Sequence, residues 1–330
     1  MKGLIMQIKY RCPRSSGSEV SSFFINPTNY THREYTEVFG VDVADEVFQL
    51  LYKSDKKVYR QIVPLAKKAD GLTTKYVFQL YDNRQIETVS IKRRTGISLC
   101  LSTQVGCSVQ CQFCKSGEKG LFRNLSASEI VQQILYIKEK INRIVFMGIG
   151  EPLNNYDEVM RAIHIIKDRK GMDFPTEGIT ISTVGPIDKL KRLKEEHLKI
   201  QLVLSLHATD QDRRDKLIPG MARYSINETI SEVMEYSRRH NRQVTIAYLL
   251  LPGFNNRQED LEKLIQWFKG KNARINLMKY NGHNTKVYKV ATSDQIKRFR
   301  RALESENIKV SLRQNLGLSI DAACGQLITA

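Results

Sequence analysis

From residue 97 onward, strand-like and helix-like segments alternate, and few folds accommodate such a pattern. Apolar, β-branched runs recur as ISLCLST (97–103), RIVFMGI (143–149), GITISTV (178–184), IQLVLSL (200–206), QVTIAYLLL (243–251) and RINLMKY (274–280). Their β-branched and apolar content suits strands buried in a parallel sheet. Amphipathic stretches separate them: SASEIVQQILYIKEK, NYDEVMRAIHIIKDR, PIDKLKRLKEEH, SINETISEVMEYSRRH and NNRQEDLEKLIQWFKG. A last one, SDQIKRFRRALESEN, leads into the short strand KVSLRQN. Ser126 and Ser225 stand where helix N-caps belong. Six strand–helix units in succession predict an α/β fold, a partial (β/α)6 barrel rather than a closed eightfold one. Chemistry in such folds gathers at the C-terminal ends of the strands. Those ends are polar here: GEPLNN, STVG, SLHA and KYNGHN.

Residues 1–95 read differently. Parts of 33–68 have helical character, and KYVFQL followed by DNRQIETVSI predicts a hairpin turning at Asp82-Asn83. The first 30 residues show no clear period. The expected organisation is a small N-terminal accessory α+β domain over 1–95 and a core domain over 96–330.

Charge narrows the partner. With 52 Lys and Arg against 35 Asp and Glu, the chain carries a formal +17 and favours polyanions, nucleic acid foremost. A membrane surface is the rival, but no basic amphipathic helix with an aromatic face stands out. No run of about 18 apolar residues could span a bilayer, and the N-terminus makes no convincing signal peptide. A cytoplasmic protein is expected.

Six cysteines are present: Cys12, Cys100, Cys107, Cys111, Cys114 and Cys324. Their distribution does not suit a secreted disulfide scaffold, which would be shorter and more evenly bridged. Three crowd into CSVQCQFCKSGEKG, where closely spaced soft thiolates can wrap one metal centre. A structural zinc site would be one ligand short. A cubane iron–sulfur cluster on three cysteines keeps one iron open for a chelating molecule. The same spacing also describes one face of a helix, with three core thiols, although Gly106, Ser108, Gln110, Lys115 and Gly117 make the neighbourhood polar and loop-like. Taken alone, Cys100 is equally a small buried hydrophobe, whereas Cys324 between Ala323 and Gly325 favours reactivity.

The C-x3-C-x2-C pattern resembles the radical S-adenosylmethionine superfamily. The ordered set LCLSTQVGCSVQCQFCKSG, FMGIGEPLNN, ISTVG, LSLHA and IDAACGQL is similar to the RlmN/Cfr family of RNA adenine methyltransferases, from about Glu87 to Leu327. That resemblance implies a radical S-adenosylmethionine core over 96–330 and an accessory domain that helps recognise RNA. Cys107, Cys111 and Cys114 would ligate a 4Fe–4S cluster whose open iron chelates S-adenosylmethionine. Gly150, Glu151, Ser182, Ser205, Leu206, His207 and Asn281 would form the cofactor pocket. Cys324 would carry the methyl group, Cys100 would be its redox partner, and Glu87 falls at the family's proposed proton acceptor. In the family scheme one S-adenosylmethionine methylates Cys324, and a second yields a radical that activates this methyl for addition to adenine. A disulfide between Cys100 and Cys324 then releases the methylated RNA. The implied partners are 23S ribosomal RNA, transfer RNA or both, and a flavodoxin-type electron donor, with the enzyme a monomer. Carbon 2 is the favoured target atom and carbon 8 the alternative. A different radical S-adenosylmethionine enzyme or a zinc-stabilised RNA-binding protein stays open. Lys92, Arg93, Arg94, Lys115, Lys119, Arg123, Arg213, Arg214, Arg238, Arg239, Lys297, Arg298, Arg300, Arg301 and Arg313 are candidate phosphate contacts, and Phe113 and Phe122 candidate stacking platforms.

Overall fold

The structure is a computed structural model that describes residues 22–23, 26–53, 62–282 and 287–329. Cys12, most of the first 30 residues and His283 of the KYNGHN turn lie outside the described residues.

Two short helices, α1 (His32–Phe39) and α2 (Val41–Phe48), meet at Gly40. Thr31 and Glu34 form a reciprocal capping box that satisfies two backbone N–H groups at the start of α1. The pair closes on its own cluster of Phe23, Tyr35, Phe39, Val47 and Phe48. It meets the rest of the molecule partly through ion pairs, Arg161 to Glu34 at 2.7 Å and Lys170 to Asp45 at 2.6 Å.

An antiparallel meander follows, β1 (Val63–Asp70), β2 (Thr73–Gln79), β3 (Gln85–Arg93) and β4 (Gly96–Cys100). The predicted hairpin forms between β2 and β3, where Asn83 adopts a left-handed φ of 64°. The AKKA composition of β1 reads as helix, yet pairing with β2 makes it an edge strand. A bulge at Pro64 and exposed lysines suit it to that edge.

After β4, a small hairpin of β5 (Gln104–Gly106) and β6 (Leu121–Asn124) interrupts the main sheet. Parallel strands then resume as β7 (Ile141–Phe146), β8 (Ile179–Thr183), β9 (Gln201–Ser205), β10 (Val244–Leu250), β11 (Ala273–Lys279) and β12 (Lys309–Leu312). The ten-stranded order β1-β2-β3-β4-β7-β8-β9-β10-β11-β12 is mostly parallel and does not close among the described residues. Residues from β3, β4 and β7 to β12 line one common cavity, so the sheet curls into an open barrel. Residues 63–93 thus extend the barrel sheet continuously, and the turn at residue 95 is no break in packing.

Helices cover the outer face: α3 (Ala127–Leu135), α4 (Tyr156–Lys167), α5 (Ile187–Glu195), α6 (Gln211–Leu217), α7 (Ile226–Arg239), α8 (Gln258–Phe268) and α9 (Ser293–Ser305). Ser126 and Ser225 cap α3 and α7 as expected. In α4, Tyr156, Val159, Met160, Ile163 and Ile166 are buried at helical spacing, which seats the helix on the sheet. Helix α6 has no counterpart in the sequence pattern. Its seven residues are mostly charged, so no apolar period announces it.

Candidate active site

The hairpin β5–β6 holds the cysteine loop. Cys107 N donates to Gly120 O at 2.9 Å, and Gly106, at φ 80°, lets the two strands meet where any Cβ would strike the Gly120 carbonyl. The loop is no continuous helix. Gln112 N donates to Leu217 O at 2.9 Å and Cys114 N to Cys111 O at 3.0 Å, so Cys107, Cys111 and Cys114 lie half-buried along one folded loop. Burial pushes the Cys107 thiol up to about 12 and lifts Cys111 and Cys114, with neighbouring thiols contributing. No three His, Cys, Asp or Glu side chains among the described residues close around a single ion.

The three-thiol loop fits an iron–sulfur cluster by its charge environment. Arg214 on α6 is fully buried beside Cys111, and burial lowers it to about 10. One nitrogen, Nη2, donates to Val184 O at 2.6 Å, while Nε and Nη1 have no partner among the described residues. A buried, underbonded guanidinium is costly unless an anion lies against it. A thiolate-ligated cluster would be such an anion, and Cys107, Cys111 and Cys114 are the residues that would hold it.

Strand ends supply the neighbouring pocket. Gly150, at φ 106°, packs so tightly on Gln104 that a Cβ would approach it to 2.7 Å. Buried Glu151 accepts from Thr183 Oγ1 at 2.6 Å, Leu153 N at 3.0 Å and Val184 N at 2.9 Å, and burial raises its carboxyl to about 7. Ser182 and Ser205, at the ends of adjacent β8 and β9, have hydroxyls 3.4 Å apart. Leu206 is a fully buried core side chain, so any contact it makes with a cofactor is through its backbone. His207 sits at a left-handed φ of 56°, and its Nδ1 accepts from Leu249 N at 3.0 Å. Burial drives this imidazole down to about 3, so it stays neutral with its proton on Nε2. Asn281 donates Nδ2 to Cys324 O at 2.9 Å, while its buried Oδ1 has no partner among the described residues. A ligand ammonium would satisfy such an acceptor.

Cys100, Cys114 and Cys324 line one cavity of about 480 Å³ inside the barrel. Cys100 and Cys324 are both free thiols. Burial, with neighbouring Cys324 adding to it, pushes the Cys100 thiol up to about 12, and Arg313 opposes the rise. The Cys324 segment is tied down. Lys115 N donates to Gly325 O at 2.8 Å, Ser116 Oγ to Leu327 O at 2.7 Å and Gly106 N to Thr329 Oγ1 at 2.9 Å. Glu87 shares the β3 face of Val89 and Ile91 but engages the tail instead of projecting free. Its Oε2 accepts from Ile328 N at 3.0 Å, and its Oε1 pairs with Lys75 Nζ at 2.8 Å. Nothing in the sequence marks Lys75, which only strand pairing brings to Glu87.

Seven of the fifteen candidate phosphate contacts pair with carboxylates, Lys115 with Asp321 among them. Arg123 bridges Asp82 and Glu129, Arg213 pairs with Asp260, and Arg238 with Glu235. Arg239 pairs with Glu195, Arg300 with Glu304 and Lys297 with Asp294. Phe113 packs edge-on against His207 at 4.9 Å, so it belongs to the site wall. Phe122 is exposed with Arg84 stacked on it at 4.0 Å. No helix among the described residues is long and apolar enough to cross a membrane.

Comparison with known proteins agrees with this geometry. The family model for the radical SAM superfamily matches residues 101–268. A probable RNA methyltransferase of Rhodopseudomonas palustris is 46% identical over 268 residues, covering 81% of this chain and 75% of that protein. A probable dual-specificity RNA methyltransferase RlmN of Dictyoglomus turgidum is 42% identical over 267 residues, 78% of this chain and 76% of the relative. A solved radical SAM methyltransferase from Sphaerobacter thermophilus superposes with a TM-score of 0.85 at 31% identity, over 91% of this chain and 98% of that one. With a cysteine loop, a cofactor-sized set of strand ends and two further thiols in one cavity, the chain belongs to the RlmN/Cfr family of radical S-adenosylmethionine RNA methyltransferases.

Proposed function

We propose that the protein methylates carbon 2 of an adenosine in 23S ribosomal RNA, transfer RNA or both, by way of a methyl group held on Cys324. The observation that carries this reading is the pairing of Cys324 with Cys100 in a cavity that also reaches Cys114 of the cluster loop. The bound cluster and S-adenosylmethionine supply a methyl donor and a hydrogen-abstracting radical, chemistry that an electron-poor ring carbon requires. Cys324 acts as nucleophile and receives the methyl. Neutral His207 and the underbonded oxygen of Asn281 orient the cofactor, with Gly150, Glu151, Ser182, Ser205 and Leu206 shaping the pocket. Once the carbon on Cys324, one hydrogen short, has joined the ring, the adduct would return one electron to the cluster and lose the ring proton, and the Cys100 thiolate would then attack Cys324 sulfur. The S–S bond forms as the bond from Cys324 sulfur to carbon breaks, the released carbon takes up a proton to complete the methyl group, and the methylated base departs. Glu87 is the candidate acceptor for the ring proton. It is held beside the tail by Lys75, so it would act from a fixed position. Residues 1–95 contribute to RNA recognition, and a flavodoxin-type protein supplies electrons to the monomer in the cytoplasm.

Nucleoside mass spectrometry of ribosomal and transfer RNA from cells with and without the gene tests this reading. The expected product is 2-methyladenosine that disappears with the gene. Only 8-methyladenosine would move the chemistry to the other carbon, and no change in methyladenosine would overturn the proposal.

A further inference from the structure

The cavity holding Cys100 and Cys324 has the cluster loop and the tail at its roof and a charged floor. At the roof, the cluster loop and the tail are laced together through Lys115, Ser116 and Asn281. At the floor stand three arginines. Arg143 lies near the start of β7 and Arg274 near the start of β11, while Arg93 ends antiparallel β3 opposite Gly96, the first residue of β4. All three are exposed, and all three line the cavity. Strand alternation sets Arg143 on the face of Val145 and Met147, and Arg93 on the face of Val89 and Ile91, toward the barrel interior.

These charges are uncommitted. Among the described residues none of the three has a carboxylate partner, and the polar contact of Arg274 is Nε to Gln243 at 2.7 Å. Deeper in, Arg313 meets Met147 Sδ at 3.4 Å. Glu177 is the one carboxylate among the described lining residues. Four guanidiniums facing one carboxylate make an electropositive throat, whereas arginines such as Arg238, Arg239 and Arg300 on the outer helices are neutralised.

We propose that the strand-start mouth of the barrel is the door for RNA, with Arg93, Arg143 and Arg274 gripping phosphates beside the target nucleotide while the extruded base rises to Cys324. Guanidinium forks match phosphate oxygens in pairs, and a base embedded in folded RNA must leave its stack to reach a buried thiol. Cys100 pairs with Val145, two residues beyond Arg143. At about 3.3 Å per residue that places the thiol level ~7 Å above the Arg143 level, a span on the scale of one nucleotide. The wall between them is Val145 and Met147, suited to a base face. This inference rests on the RNA-methyltransferase reading.

The test uses full-length protein loaded anaerobically with iron, sulfide and S-adenosylmethionine. Arg93→Ala, Arg143→Ala and Arg274→Ala, singly and together, are compared with Arg238→Ala for binding to a transcribed ribosomal RNA fragment across a salt series. Each mouth substitution should flatten the slope of log affinity against log salt by about 0.7 to 0.9. The triple variant should lose about 2 to 3 from that slope, while Arg238→Ala matches the wild type. Cluster absorbance and RNA-independent methylation of Cys324 should stay at wild-type levels, which excludes misfolding as the cause. The door is overturned if the triple variant binds as the wild type does, or if the loss follows Arg84→Ala and Phe122→Ala on the β5–β6 side instead. If the wild type binds RNA but methylates none, the functional reading fails while the salt slopes still decide the door.

Discussion

Replacing Lys75 with Met isolates the anchor of the carrier segment. Lys75 and Glu87 are diagonal neighbours on β2 and β3, 2.8 Å apart, each side chain only 8% exposed. Lys75 Nζ also donates to Asp321 O at 3.3 Å, and Glu87 accepts from Ile328 N, so the pair spans both ends of the Cys324 segment. Loss of the ammonium strands a buried carboxylate with one remaining N–H donor. Breaking a buried pair from one side costs about 3–5 kcal/mol, mostly because the partner stays charged and unpaired. Urea unfolding of the Lys75→Met protein should register a loss of that size. A second substitution, Glu87→Gln, removes the stranded charge, and the double variant should recover at least ~1 kcal/mol relative to the sum of the singles. Hydrogen exchange should find the Ile328 amide deprotected in Lys75→Met, because the tail is released where its anchor fails. The reasoning is refuted if both singles lie within about 0.5 kcal/mol of wild type, the range of ordinary surface changes, with Ile328 still protected.

Other outcomes follow from the same geometry. Arg214→Met removes the buried cation beside Cys111, so the reconstituted cluster should become harder to reduce; redox titration followed by electron paramagnetic resonance should give a lower midpoint, with ~59 mV for each tenfold change in the one-electron equilibrium. Cys324→Ala should abolish RNA methylation yet leave reductive cleavage of S-adenosylmethionine intact, read as 5′-deoxyadenosine by chromatography. His207 has its folded value lowered from 6.5 to about 3, so protons bind the unfolded chain first as pH falls. Stability is therefore unaffected by this group above pH 6.5 and should drop by about 1.4 kcal/mol per pH unit below it, a slope that His207→Phe should remove from urea midpoints measured between pH 6.5 and 5.

The barrel was legible because buried parallel strands write themselves as apolar runs, and the helices between them bury one stripe. The cysteine loop and Cys324 were legible for the same kind of reason, since short spacings and a resemblance carried by contiguous motifs survive in one dimension. What stayed hidden depends on pairing. Val63–Asp70 has the composition of a helix and becomes a strand because β2 offers it a ladder. Lys75 lies in an ordinary β hairpin, and only register sets it against Glu87. Arg214 stands in the sequence among the candidate phosphate contacts, yet α6 turns it fully inward while Arg213 bonds to Asp260. Arg143 and Arg274 are single charges inside apolar runs, and they acquire meaning only when the sheet curls and brings strands distant in sequence around one cavity.

The most direct measurement is mass spectrometry of the protein itself, after anaerobic loading with iron and sulfide and incubation with methyl-deuterated S-adenosylmethionine. The account predicts one labelled methyl on the peptide carrying Cys324, retained without RNA and lost to an adenine once RNA and reductant are added. A label on any other residue, or none on Cys324 in protein that holds its cluster, contradicts it.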